Sequence, residues 1–511
     1  MTVSTLTVVP EALASGTAPY AEPDPIRLTL LARSSDTTLQ ALARAARDDF
    51  PDWLQHVRPA ASCKRPIRLA ATMNTVEAAT GRLLSTVDTR DMPDGVLYKP
   101  CGNRRESMCP SCSARYKGDA YQIVRSLLVG GNGVPETVAT HPAVFVTFTA
   151  PSFGEVHTRV VRKHTCAKRK GCDCRPEPCH ARRDQPLCPH GRRLGCFARH
   201  DPGDKSLGTP LCLDCYQHNA QVVWNLASGE LWRRTTIAIH RYLRRVARRL
   251  GVPGNRIRLC YGKAAKYQAR GVIHFHAVIR LDGVDPDDKT AIIAPPPGIG
   301  IGDRIDAVEH AARVTAFTTD PHPTRPGGWP IAWGEQLDVR PITVAASGQV
   351  TDLMAAAYVA KYATKSTEVT GHVSGRLNDE TVNLYADPDG THTERLIEAC
   401  WILGGPRDWR ALRRRAHMLG FAGHFLTKSR SHPVTFQLQR NKRVVFRRAE
   451  TTGPTEDTTV TEAPTLLVVN FLQFVGSGWH TTADAILANT SAALARDHQT
   501  LARQQIADLT G

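Results

Sequence analysis

The sequence predicts an α+β fold, with strands and helices mixed, and three observations carry that expectation. The run Gly271-Val-Ile-His-Phe-His-Ala-Val-Ile-Arg280 alternates as a strand does. Its Ile273, Phe275, Ala277 and Ile279 fall on one face, and His274 and His276 lie side by side on the other. Leu353–Ala363 is rich in helix formers and follows Thr351, a suitable N-cap. Apolar runs at 143–149, 256–262 and 336–344 read as further strands, with a long helix over 219–250 between the first two.

The remaining elements follow in order. Residues 1–60 are Ala/Thr/Pro-rich and expected to be partly disordered, with a short helix at 37–49. A cysteine-bearing segment covers 61–118. The main unit spans 119–370, with a Cys-rich insertion at 163–216 and a Pro/Gly loop at 295–302. A basic module at 371–449 reads as helical and winged-helix-like, and 450–511 as an acidic Thr/Pro linker followed by a helix at 481–508. No run approaches the eighteen or so apolar residues of a membrane helix. Met1–Asp24 lacks the basic and apolar regions of a signal peptide, so a cytoplasmic protein is expected.

Two adjacent histidines on a buried sheet face call for an occupant, and a divalent metal is the usual one. The alternative is a half-exposed strand whose outer face happens to carry them. The helix at 351–366 shifts that balance. With Tyr358 at 0° on a helical wheel, Lys361 falls at about 300°, Tyr362 at about 40° and Lys365 at about 340°. Two tyrosines and two lysines thus share one arc, one turn apart. Ala356, Val359, Ala360 and Ala363 form a small-residue face suited to packing on a sheet. An amphipathic helix with structural tyrosines and solvated lysines would explain either Tyr-x-x-Lys alone. It does not explain the pair downstream of a His-x-His strand.

Fourteen cysteines in such a chain are better read as metal ligands than as disulfides. Cys109-x-x-Cys112, with Cys63 and Cys101 upstream, suits a four-thiolate zinc site. Cys212-x-x-Cys215, preceded by Cys188-Pro-His190 and Cys196, suggests a second. Cys166, Cys172, Cys174, Cys179, His180 and His200 are surplus ligands that leave the second pairing open. Cys260 and Cys400 read as small core residues.

The chain carries a net charge of +17, with 51 Arg against 14 Lys. Residues 241–270 hold ten Lys/Arg and no acid, and 407–448 hold twelve with the single acid Asp408. Such acid-poor stretches suit a phosphate chain better than an ordinary solvated face. Arg244, Arg245, Arg248, Arg249, Arg270, Arg413, Arg414 and Arg415 are the candidate DNA contacts.

His-Phe-His followed by Tyr-Val-Ala-Lys-Tyr-Ala-Thr-Lys resembles the two signature motifs of HUH endonucleases, in particular the two-tyrosine kind of phiX-type gene A proteins. Phe145-Val-Thr-Phe-Thr-Ala-Pro-Ser152 resembles that family's first motif, and the three occur in the family's order. Arg270-Gly271, Cys-Pro-Ser-Cys at 109–112 and Phe421-Ala-Gly-His-Phe-Leu-Thr-Lys428 resemble initiators of actinobacterial plasmids of the RepSA type, over roughly residues 60–450.

The resemblance implies an antiparallel sheet with flanking helices, a ferredoxin-like palm. It also implies a Mg²⁺- or Mn²⁺-assisted tyrosine attack on origin DNA that leaves a 5′-phosphotyrosine and a 3′-OH primer for rolling-circle replication. Tyr362 matches the initiating nucleophile and Tyr358 the second, with Lys361 and Lys365 as electrostatic support. Host helicase and polymerase are implied partners. One departure stands out: where many relatives carry a Glu as candidate third metal ligand, this chain has Lys266. Gln268, Glu335 or Asp338 are left for that role. A two-tyrosine transposase and a non-catalytic zinc-dependent DNA-binding regulator are the alternative readings.

Overall fold

The computed structural model describes residues 36–161, 176–181, 187–342, 351–364, 375–452 and 466–510. Two compact units emerge: Met1–Cys101 with Val460–Gly511, and Gly102–Thr459. The first begins with helices α1 (Asp36–Ala45) and α2 (Phe50–Val57) and strands β1 (Ile67–Glu77), β2 (Leu83–Asp88) and β3 (Leu97–Lys99). Trp53, Val57, Ala60, Val96 and Tyr98 form its core. Asp94 organises it, accepting from Arg44 at 2.8 Å, the Trp53 indole at 2.7 Å and the Tyr98 hydroxyl at 3.0 Å.

The second unit is built around a five-stranded, wholly antiparallel sheet. After α3 (Pro110–Val129) come β4 (Ala143–Phe148), the 32-residue α4 (His218–Arg249), β5 (Ile257–Tyr267) and β6 (Ile273–Gly283). Then follow α5 (Ile301–Val314), the short pair β7 (Ala316–Thr318) and β8 (Pro330–Ala332), β9 (Leu337–Ile342) and α6 (Asp352–Ala363). Last are α7 (His392–Leu403), α8 (Arg410–Arg414), β10 (Leu426–Lys428) and α9 (Phe436–Thr452). Strand order is β10-β5-β6-β4-β9, so the histidine strand is central and every residue of it is buried.

Alternation along β6 sends its two faces into two different cores. Ile273, Phe275, Ala277 and Ile279 pack with Leu231 and Ile239 of α4 and with Leu396 and Leu403 of α7. Val278, with Phe145 of β4, meets Val124 and Leu127 of α3 and the small face Ala356, Val359, Ala360 and Ala363 of α6. The predicted sheet-packing face of that helix is therefore its buried face, and Thr351 caps it, accepting from the Met354 N–H at 3.2 Å. Small side chains let α6 lie close to the sheet, which brings its tyrosines near the strand.

Among the described residues, the basic C-terminal stretch, expected to be winged-helix-like, packs into the central sheet's core. Trp409, Leu412, Leu419, Phe421 and Phe425 belong to the α4-side core, and β10 extends the sheet beside β5, with Leu426 opposite Ala264. The apolar residues between the arginines thus serve the central sheet. The chain then returns to the first unit with β11 (Leu466–Ser477), a strand absent from the sequence reading, and α10 (Thr482–Thr510). There β11 pairs antiparallel with β1, and Ala488 of α10 joins the first unit's core.

One polar network sits inside the second unit. Arg280 makes two bonds to Asp282, at 2.7 and 2.8 Å, and His141 a third at 2.8 Å, all almost fully buried. Burial alone would push the Asp282 carboxyl up, but the bonds from His141 and Arg280 outweigh it and hold the group below the usual carboxylate range. A depressed carboxyl contributes stability above its unfolded pKa, near 4, that is lost as pH falls through the folded value. Asp282→Ala is expected to cost about 3–5 kcal/mol at pH 7, because it strands a buried guanidinium. Urea unfolding should show the gap from wild type closing under acid, and a pH-independent gap would contradict the network's role.

Candidate functional site

The turn between β5 and β6 aims the histidine strand. Gln268 N–H donates to Val272 O at 2.9 Å and Gly271 N–H to Gln268 O at 2.9 Å. Gly271 has φ +76°, and a Cβ there would stand 2.8 Å from Leu419, so the glycine is required twice over. Asn225 of α4 clamps the exit: its amide donates to Gly271 O at 3.0 Å and Leu419 O at 2.8 Å, and its oxygen accepts from Ile273 N–H at 3.0 Å.

His274 and His276 emerge on the α6 side, 8% and 3% exposed, with ring centroids 4.5 Å apart. Each has its Nδ1 engaged. Thr147 of β4 lies 3.0 Å from His276 Nδ1, and the Gln268 amide lies 3.3 Å from His274 Nδ1. Both Nε2 atoms are buried without a hydrogen-bond partner. Burial, helped by the neighbouring His276, Lys266 and Arg270 charges, drives His274 down to about 2; burial and Lys266 drive His276 down to about 3. Two neutral imidazoles, each with a buried Nε2 that lacks a hydrogen-bond partner, present a place for a divalent cation and leave a costly pair of orphaned groups without one.

Tyr358 and Tyr362 stand over this pair. The His276 ring is 4.9 Å from Tyr358 and 5.5 Å from Tyr362, and the two phenol rings are 4.6 Å apart. Lys266, opposite His274 in the β5–β6 ladder, holds its ammonium 4.1 Å from the Tyr362 ring centroid, and Lys361 lies at 5.9 Å. The two phenols consequently differ. Burial and the hydrogen bond with Tyr362 push Tyr358 well up. Burial would also raise Tyr362, but the bond from Tyr358 and the cations Lys266 and Lys361 outweigh it, and its phenol sits below the ordinary value. Arg104 steadies the helix end, donating to Ala363 O at 3.2 Å.

Other sequence-predicted residues sort as follows. Lys365 falls outside the described residues. Gln268 sits on the Nδ1 side of His274, with its oxygen accepting from Arg270 Nε at 2.9 Å, so it orients the ring from the side away from the unpartnered Nε2. Asp338 is exposed and tied to Arg340 at 2.9 Å, and Glu335 is exposed on the loop before β9. Among the described residues no Asp, Glu, Cys or further His joins the histidine pair in a three-ligand group.

Cys63 is buried and accepts from Cys101 N–H at 3.3 Å in the first unit. In the second, Cys109 caps α3 and Cys112 lies in its first turn, with sulfurs within 4.8 Å of each other. Cys188, Cys212 and Cys215 do converge, but their fourth member is His190, whose Nδ1 is 3.3 Å from Cys215 Sγ and 3.8 Å from Cys212 Sγ. Cys196 is drawn elsewhere because its backbone bridges His180, which turns its sulfur to His200, 3.6 Å away.

Of the arginines, Arg245, Arg248 and Arg249 are exposed near the end of α4, and Arg414 is exposed. Arg244 is half-buried. Arg413 instead donates to Trp401 O at 2.8 Å and lies over that indole; Arg415 is half-buried. Arg270 is held by Gln268. Sequence reasoning missed Lys266 and Thr147 as site residues. Counting back across the Gln268–Gly271 turn would have placed Lys266 opposite His274.

No helix among the described residues is long and apolar enough to cross a membrane. No solved structure matches the chain. Residues 49–493 match the family described as replication initiator protein, pSAM2. A replication initiator protein of Streptomyces ambofaciens is 36% identical over 488 residues, covering 92% of this chain and 96% of that one. With both matches running through the histidine strand and the tyrosine helix, the chain belongs to the RepSA family of replication initiators.

Proposed function

We propose that this initiator nicks and rejoins one strand of its plasmid origin through HUH tyrosine chemistry, starting rolling-circle replication. The observation that carries the reading is the placement of Tyr358 and Tyr362 over the buried, unpartnered Nε2 pair of His274 and His276. Those histidines would hold Mg²⁺ or Mn²⁺, which when bound polarises the scissile phosphate and draws charge from the departing 3′ oxygen. Tyr362, deprotonated, attacks phosphorus through its phenolate oxygen. The bond to the 3′ oxygen breaks, that oxygen takes a proton from water, and the 5′ phosphate stays on tyrosine. Attack by a 3′-OH on the phosphotyrosine reverses the step and restores the phenol, so rejoining needs no external energy source.

Lys266 and Lys361 favour the phenolate and offset phosphate charge. Exposed Arg245, Arg248 and Arg249 would follow the phosphate chain, and a host helicase and polymerase would open the duplex and extend the 3′ end. The pairs Cys63–Cys101 and Cys109–Cys112, and the set Cys188, His190, Cys212 and Cys215, serve as ligands for structural zinc. The compartment is the cytoplasm, where the plasmid is.

Incubating the full chain with labelled single-stranded origin DNA and Mn²⁺ should yield a complex that survives denaturation and is lost on protease treatment. Its absence under conditions of tight DNA binding would overturn the reading. Lys266→Met tests the electrostatics. Because the lysine favours the phenolate, its removal should move the rise of nicking rate to higher pH, with a loss on the order of tenfold at pH 7 that closes under alkaline conditions. A loss of equal size at every pH would assign Lys266 to phosphate binding alone.

A further inference from the structure

The loop that leaves β4 is stitched to the end of the Cys-rich insertion. Leu211 N–H donates to Glu155 O at 2.9 Å, His157 N–H to Thr209 O at 2.9 Å and Gly208 N–H to His157 O at 2.9 Å. At this seam His157, Cys179, Cys196 and His200 bring two nitrogens and two sulfurs within 4.8 Å of one another. None of the four belongs to the set around His190.

The separations are those of a tetrahedral zinc shell. Bonds of about 2.05 Å to nitrogen and about 2.3 Å to sulfur give nitrogen–nitrogen edges of about 3.3 Å and nitrogen–sulfur edges of about 3.6 Å. Here His157 Nδ1 is 3.2 Å from His200 Nε2, Cys179 Sγ is 3.8 Å from His157 Nδ1, and Cys196 Sγ is 3.6 Å from His200 Nε2. The outer shell is in place too. His200 Nδ1 is 2.6 Å from Asp204, whose carboxylate also accepts from the Ser206 N–H at 2.8 Å and the Ser206 hydroxyl at 2.7 Å. A carboxylate on the far nitrogen fixes the tautomer that leaves Nε2 free for a metal. His180, by contrast, is occupied by Val156 O at 2.8 Å and by Glu155.

We infer that His157, Cys179, Cys196 and His200 bind a structural zinc that stakes the insertion against the turn before the histidine strand. Gly208, in the same seam, has φ +83°, and a Cβ on it would come within 2.6 Å of Ala269 and of the Arg270 nitrogen. Arg270 holds Gln268, which faces His274. A cavity of about 1010 Å³ opens here, lined among others by His157, Gly208, Gln268, Arg270, Trp333 and Glu335. The zinc therefore fixes one wall of the space beside the histidine pair. The metal site stands without the nicking reading; only its value as a wall of the DNA site rests on it.

Metal analysis of the full chain tests the site directly. Cys179→Ser should lose one zinc per chain relative to wild type while keeping those held elsewhere, and an unchanged zinc content would overturn the assignment. Should that variant fail to fold, His200→Cys supplies the second measurement. It should keep the wild-type zinc content and, with Co²⁺ in place of zinc, gain thiolate-to-metal absorption as a third sulfur joins; an unchanged spectrum would overturn the site. Asp204→Asn should speed zinc release to a chelator, with affinity lowered roughly 10- to 100-fold. Release at the wild-type rate would remove the outer shell from the proposal.

Discussion

Tyr362→Phe is expected to reduce the covalent protein–DNA adduct to background, at least a hundredfold loss on the order of what covalent and electrostatic catalysis supply together, while Tyr358→Phe nicks a simple oligonucleotide at close to the wild-type rate. The two phenols are chemically unequal. Tyr362 has Lys266 at 4.1 Å and Lys361 at 5.9 Å, and its phenol is drawn down despite partial burial. Tyr358 is pushed up by burial and by the bond with Tyr362, so near neutrality it acts as the donor of the pair. Phenylalanine keeps the ring and its packing, so a stability change beyond about 0.5 kcal/mol is not expected for these half-exposed positions. On the proposed reading Tyr358 serves the second transfer. On a substrate with two origins, Tyr358→Phe should stall with DNA attached and release few closed circles. Adduct at wild-type level in Tyr362→Phe would reverse the assignment. Circles at the wild-type rate in Tyr358→Phe would make Tyr358 structural.

His276→Ala and His274→Ala should each abolish nicking, on the order of a thousandfold or more, while DNA retention stays largely intact. On the proposed reading, retention depends on the basic surface and nicking on the two unpartnered Nε2 atoms. Chelation should reproduce the loss, and Mn²⁺ should restore activity at least as well as Mg²⁺, since imidazole suits Mn²⁺ better. Stability offers a readout independent of activity. A cation bound only to the folded chain at a hundred times its dissociation constant stabilises by about 2.7 kcal/mol. Wild type should show such a Mn²⁺-dependent rise in melting temperature and both variants should lose it. Without metal, replacing a buried unpartnered imidazole removes a desolvated polar atom, so the apo variants should melt close to wild type. Full nicking by the wild type in EDTA would sink the metal assignment.

Local periodicity was enough to find the chemistry-bearing elements. Period-two alternation put the histidines opposite Ile273, Phe275, Ala277 and Ile279, and helical periodicity put both tyrosines opposite Ala356, Val359, Ala360 and Ala363. Both patterns are local, set by backbone geometry within a few residues, and strand and helix ends agree with the expectation to within a few positions. Resemblance added the order of the motifs, and the match over residues 49–493 bears out the likeness to RepSA-type replication initiators.

What depends on distant partners came from the packing of the chain. The basic stretch at 371–449 looked like a separate module because its arginines are conspicuous; Leu412, Leu419, Phe421 and Phe425 commit it to the central core, and β10 to the central sheet. The pairing of cysteines across the insertion exchanged Cys196 for His190, since a metal shell is chosen by where loops meet and not by spacing along the chain. Lys266 read as a missing metal ligand; across the β5–β6 ladder it is a cation placed on Tyr362. Spacing reveals which face a residue occupies, but the charge that tunes a phenol and the sulfur that completes a shell arrive from other segments, and only the packed chain brings them within bonding range.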